Sequence, residues 1–201
     1  MVRRTKAEAE ATRTTILDAA EHLFEQHGVS RTSLQHIAAA ASVTRGAVYH
    51  HFRDKADLFD AMLRRVKLPM EQAAAQLERC TDADPLLRLR SMLVAHLQRV
   101  ASDEQTQRVY EIALHKVEDV DELSGMRLRH RQAVAEHIAT IARCLERAGL
   151  PTRHAVGLHA LVVGLMRTWL LDRGGFDLVA SGSEAIDAML HGMHGFSAAA
   201  D

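Results

Sequence analysis

Proline is nearly absent from this chain, with three in 201 residues, and the aromatics amount to 4%. Alanine, leucine, arginine and glutamate dominate instead, a helical composition. The only cysteines, Cys80 and Cys144, form no metal or redox motif, so a reducing compartment is expected. No apolar run is long enough to cross a bilayer, which excludes a transmembrane helix at this stage. The opening "MVRRTKAEAEATR" has charges but no apolar stretch behind them, so no secretory signal is read. The expected location is the cytoplasm. No strand-like alternation and no internal repeat occur, and the fold class expected is all-α, with roughly nine helices. Nucleophile-elbow, phosphate-loop and HExxH patterns are missing too, which argues against an enzyme.

The net charge of −1 hides an asymmetry. Residues 1–67 hold eleven Lys/Arg against eight Asp/Glu, a net +3, while the remainder holds fourteen against eighteen, a net −4. A basic front on a slightly acidic body suits an anionic partner for the front end.

That front end contains a peculiar stretch, "SVTRGAVYHHF" (42–52), with glycine, two valines and two adjacent histidines in a helical neighbourhood. Before it, "TRTTILDAAEHLFEQHG" places Ile16, Leu17, Ala20, Leu23 and Phe24 on one stripe and stops at Gly28. "TSLQHIAAAA" offers Thr32 as N-cap, with Gln35 completing a capping box. "ASV" is a turn, and Thr44 caps a second short helix running to about His50. A longer helix starts near Asp54, with Leu58, Phe59, Met62, Leu63 and Val66 as its apolar positions. Two short helices joined by a tight turn and packed on a longer one read as a helix-turn-helix. Packing of Val43, Val48 and Phe52 holds the weak second helix, since propensity cannot. Its other face is small at Gly46 and Ala47 and carries the polar tips of Arg45, Tyr49, His50 and His51. Such a face suits the major groove of DNA.

Pro69 is expected to kink or break the fourth helix. Asp84 and Pro85 start a fifth. "EQTQRVYEIALHKV" and a long helix ended by Gly149 and Pro151 follow. "RHAVGLHALVVGLMRTWLL" is apolar nearly all round, marking a buried or interface helix. "GSEAIDAMLHGMHGF" is the last helix.

The stretch from "TRTTILDAAEHLF" through "VTRGAVYHHFRDKADLF" resembles the N-terminal domain of the TetR family of bacterial repressors, over about residues 6–65. "DPL" (84–86), "EIALHKVE" (111–118) and "GLMRTWLLDRGGFDL" (164–178) are similar to the AcrR-like branch, which represses multidrug efflux pumps. The resemblance implies a DNA-binding domain at 1–54 and a ligand-binding and dimerisation domain at 55–201. It implies a ligand-responsive repressor bound as a homodimer to a palindromic double-stranded operator, away from membranes, with no cofactor. Arg45 would read a base edge, most often guanine. Thr44, Tyr49, His51 and Lys55 would take phosphates, with Thr32, Ser33, Gly46, Ala47 and His50 completing the DNA face. Ser42 stands where the family usually has glycine, which costs strain if positive φ is required. The dimer seam would be filled by Leu158, Leu161, Leu165, Trp169, Met189 and Met193, with Gly157, Ala160 and Gly164 permitting close approach. A pocket for a small apolar or cationic compound would be lined by Leu63, Met70, Leu93, Leu97, Tyr110, Leu114, Val134 and Ile138. His96, His130 and His137 would be its polar partners. Thirteen histidines invite a metal reading. They fall at no site-like spacing with cysteine or carboxylate, so no metal ligand is assigned. A metal-sensing repressor and, from another class, a histidine-dependent metal hydrolase are the alternatives; operator binding without turnover separates the second.

Overall fold

In a computed structural model of the chain, residues 5–66, 84–117 and 124–197 are described, without the side chains of 124–127, 129, 130 and 194–197. Pro69, Met70 and Cys80 lie outside these residues, as does the expected kink. Nine helices and no strand occur among them: α1 (Lys6–His27), α2 (Leu34–Ala40), α3 (Arg45–His51), α4 (55–66), α5 (Pro85–Ser102), α6 (Glu104–His115), α7 (Ser124–Arg147), α8 (His154–Leu171) and α9 (Leu178–Ser197). They divide into two compact units, the described parts of 1–67 with 108–129 and of 68–107 with 130–201.

In the first unit, α1 contributes Ile16, Leu17, Ala20 and Phe24 to a core shared with Ile37 and Ala38 of α2, Val48 of α3, Phe52, Val109 and Ile112. Leu58, Phe59, Met62, Leu63 and Val66 of α4 belong to the same core, and the rings of Phe24 and Phe59 lie 6.3 Å apart. Each such side chain contributes about 1.5–3 kcal/mol by leaving water. A seven-residue helix is not stable alone. α3 is held because Val48 and Phe52 are both buried.

Three boundaries depart from the sequence expectation. α1 begins at Lys6, well before the apolar stripe, because Thr5 and Glu8 form a full capping box ahead of the helix-forming run "KAEAEA". α2 is capped by Ser33, not Thr32: the Ser33 hydroxyl accepts from His36 N, and His36 Nδ1 accepts from Ser33 N. Thr32 is buried, and its hydroxyl donates to the carbonyl of Gly28. α9 starts at Leu178, with the Asp177 carboxylate accepting from Val179 N and Ala180 N. Gly182, read from sequence as the start, lies inside the helix. A Cβ there would collide with Leu97 of α5, so the glycine permits close packing of α5 and α9.

The second unit is built on four apolar rows: Leu89, Leu93, Leu97 and Val100 of α5; Ile141 and Leu145 of α7; Ala155, Leu158, Val162, Met166 and Leu170 of α8; and Leu178, Ile186, Leu190 and Met193 of α9. Contrary to the expectation of no membrane-length segment, α8 has 18 residues of mean hydropathy 1.3, enough by length and composition to span a bilayer. Its buried row packs into this core.

Candidate nucleic-acid interface

The turn between α2 and α3 aims the candidate recognition helix. Ser42 has φ 53°, the left-handed region expected there. Val43 N bonds Ala38 O at 3.0 Å and Ser42 N bonds Ala39 O at 3.1 Å, the paired bonds of a Schellman ending. Thr44 then caps α3, its side chain accepting from Ala47 N at 3.1 Å. Cap and turn together fix both the start and the direction of α3.

With Val48 facing the core, α3 turns Thr44, Arg45, Gly46, Tyr49 and His50 to solvent, and leaves Ala47 and His51 half-buried. The predicted outward face is thus assembled on one helix. Arg45 Nη2 donates to the Tyr49 hydroxyl at 3.3 Å, with its guanidinium carbon 5.4 Å from the ring centroid. The rings of His50 and His51 meet edge to face at 5.3 Å. Ser33 is exposed at the start of α2.

Lys55 requires a correction. Its ammonium donates to three backbone carbonyls, those of Val29, Ser30 and Thr32, at 2.8, 3.1 and 3.1 Å. An ammonium has three protons, and all are engaged inside the unit. Lys55 clamps the α1–α2 loop onto α4 and is not placed as a phosphate donor. Thr32, buried beside this clamp, presents no hydroxyl to solvent either.

A buried charge cluster, unnoticed in the sequence, backs the same unit. Glu21 is 1% exposed on α1. Arg65 Nη1 of α4 lies 2.8 Å from both Glu21 Oε1 and Asp18 Oδ1. Arg108 of α6 reaches Glu21 at 4.0 Å and Glu25 at 3.2 Å, the latter without hydrogen-bond alignment. Asp18, Glu21 and Glu25 recur at helical spacing. That signal was readable as a face, but not as a buried one.

The residues predicted to line a ligand pocket are divided between the units. Leu63 is core in the first, with Tyr110 packed against it and Leu114 half-buried. Leu93 and Leu97 are core in the second, where His96, Val134, His137 and Ile138 are half-buried and the His137 ring lies 5.3 Å from that of His159. The side chain of His130 lies outside the described residues. A depression of about 390 Å³ in the first unit is lined by Leu23, Gln26, His27, Arg31, Thr32 and His36, none of them predicted ligand residues. Among the described residues, no three His, Cys, Asp or Glu side chains converge to hold a metal.

On the predicted dimer helices, Leu158 and Met193 fill the unit's own core, while Leu161, Leu165, Trp169 and Met189 are half-buried. Gly157 makes room for Met189 within the chain. A second row of α8, Val156, Ala160, Gly164 and Leu171, faces outward, with Val156 57% and Leu171 71% exposed.

Comparison with known proteins matches two segments of the chain. Residues 16–62 match the bacterial regulatory proteins of the tetR family, and residues 84–195 match the C-terminal region of MAATS-type transcriptional repressors. The HTH-type transcriptional regulator TtgR of Pseudomonas putida is 38% identical, over 94% of this chain and 95% of that protein. AcrR of Shigella flexneri is 36% identical, over 94% of this chain and 93% of that one. Among solved structures, NalD, the secondary repressor of the MexAB-OprM multidrug efflux pump in Pseudomonas aeruginosa, superposes with a TM-score of 0.84 at 36% identity. That match covers 94% of this chain and 98% of NalD. A SmeT–triclosan complex superposes at 0.79 and 29% identity, covering 90% of this chain and 91% of SmeT.

Proposed function

Because the chain belongs to the tetR family of bacterial regulatory proteins, with a MAATS-type C-terminal region, we propose that it represses an efflux-pump operon in the cytoplasm and releases its operator when a small apolar or cationic compound binds. The observation that carries this reading is α3: a capped helix whose buried face is a single valine and whose solvent face is Thr44, Arg45, Gly46, Tyr49 and His50. Base edges are read by Arg45, and phosphates by Thr44, Tyr49 and the half-buried His51. Residues 1–54 carry the DNA contacts, and residues 55–201 carry ligand binding and dimerisation. The names of NalD, an efflux-pump repressor, and of SmeT bound to triclosan support the efflux and ligand parts.

Two copies pair through α8 and α9, so that two recognition helices reach successive major grooves on one face, about 34–36 Å apart. Compounds bind among Leu93, His96, Leu97, Val134, His137 and Ile138. Ligand and operator prefer different states of the dimer, so each weakens the other by one and the same factor, typically about 5–150-fold. Paired titrations test this: ligand affinity with and without operator, and operator affinity with and without ligand. Equal factors above unity support the reading. A compound that binds free and operator-bound protein equally well rules its site out as the switch.

A further inference from the structure

Arg45 is the first residue of α3, and its contact partner is one turn along the same helix. Residues four apart on a helix are surface neighbours. Here the guanidinium lies over the Tyr49 ring, 5.4 Å from its centroid, and also donates to the Tyr49 hydroxyl at 3.3 Å. Both side chains are on the solvent face, with Tyr49 46% exposed. Nothing in the core requires this pairing, since the core contact of α3 is Val48.

We propose that Tyr49 is a specificity-determining residue that acts through Arg45: the phenol holds the guanidinium in place for a base edge before DNA arrives. This inference rests on the reading of α3 as the DNA-contacting helix and changes the part Tyr49 plays in it. An arginine side chain has many rotamers, and docking a free one costs the entropy of fixing it. Stacking on a ring lowers that cost in advance, because the guanidinium is restrained by both a cation–π contact and a hydrogen bond. With Arg45 donating into its oxygen, the Tyr49 hydroxyl keeps its own proton for an outward acceptor on the DNA. The sequence Arg45 N–H to Tyr49 O, then Tyr49 O–H to DNA, is a hydrogen-bond chain whose members polarise one another. Arg45 retains further N–H donors for a purine edge. A tyrosine serving only a phosphate would add affinity to every duplex alike.

The test uses the full chain, its selected operator, and that operator altered at the one base pair per half-site whose preference Arg45→Ala abolishes. The quantity read is the ratio of affinities for matched and altered duplexes. The unaltered chain is expected to show a ratio of about 5–150, the range of one bidentate base contact. Tyr49→Phe is expected to lower that ratio by roughly threefold or more, and Tyr49→Ala further. In an Arg45→Ala background, Tyr49→Phe is expected to leave the ratio unchanged. Because Tyr49 is a surface residue, thermal melting of each variant should coincide with that of the parent. Equal weakening of matched and altered duplexes by Tyr49→Phe would overturn the proposal in favour of a phosphate-only tyrosine, while leaving the repressor reading intact. Failure of the unaltered chain to prefer any duplex would overturn both.

Discussion

The two units hold their helices by different means. The first packs two seven-residue helices on longer ones and anchors them with polar groups: a lysine clamping three carbonyls, a buried threonine bonded to a glycine carbonyl, and a glutamate enclosed between two arginines. The second stacks helices of 18 residues or more on apolar rows, with a cross-helix ion pair, Arg90–Asp187, that is partly exposed. A seven-residue helix cannot bury enough apolar surface to fix its own direction, so direction comes from hydrogen bonds. The unit that must present a few side chains accurately is therefore the one dependent on single polar residues.

The largest break in this contrast should come at Arg65. Arg65→Met removes the nearer arginine from the buried Glu21 carboxylate, and should cost about 3–5 kcal/mol in urea unfolding monitored by circular dichroism. Lys55→Met should cost about 2 kcal/mol by freeing three loop carbonyls. It should weaken every duplex alike and leave the slope of log affinity against log salt unchanged. A phosphate-binding lysine would instead lower that slope by about one.

The two Schellman endings give a matched pair of smaller effects. α2 ends on Ser42 at φ 53° and α7 on Gly149 at φ 71°, with the same pair of backbone bonds. Ser42→Gly should stabilise by at most about 1 kcal/mol, relief of left-handed strain being partly offset by glycine's unfolded entropy. Gly149→Ser should destabilise by about 1 kcal/mol. Thermal melts of both variants measure the difference.

The smallest effect belongs to the second unit. Arg90 Nε and Nη2 donate to the Asp187 carboxylate at 2.5 and 2.8 Å, and these hydrogen bonds hold the Asp187 carboxyl below its ordinary value. Its folded value lies below its unfolded one, so the stabilisation is present above the ordinary aspartate range and lost as pH falls through the folded value. Asp187→Asn should lower the melting temperature slightly at pH 7, and the difference should shrink as pH falls below the ordinary aspartate range. High salt should shrink the difference.

Much of this was legible in the sequence because apolar spacing reports which face is buried. The stripes of α1 and α4 and the outward face of α3 were read from it. What it missed has physical causes. The first turns of α1 carry no apolar stripe, so a capped helix of alanine, lysine and glutamate left no periodic signal. Thr32 and Ser33 are both competent caps, and only the fold decides that Thr32 turns inward to Gly28. Lys55 fits a phosphate contact by type and position, yet its partners lie 23 to 26 residues earlier in the chain. Gly182 looked like a helix start because its reason for being glycine, Leu97, is on another helix.

The central claim, that α3 reads DNA sequence through Arg45, is tested most directly by selecting bound duplexes from a random pool with the unaltered chain and with Arg45→Ala. The account predicts twofold-symmetric half-sites for the unaltered chain. It also predicts that the variant loses preference at one base pair in each half-site, at a cost of about 1–3 kcal/mol. An unenriched pool for the unaltered chain, or an identical selected sequence for both proteins, would contradict it.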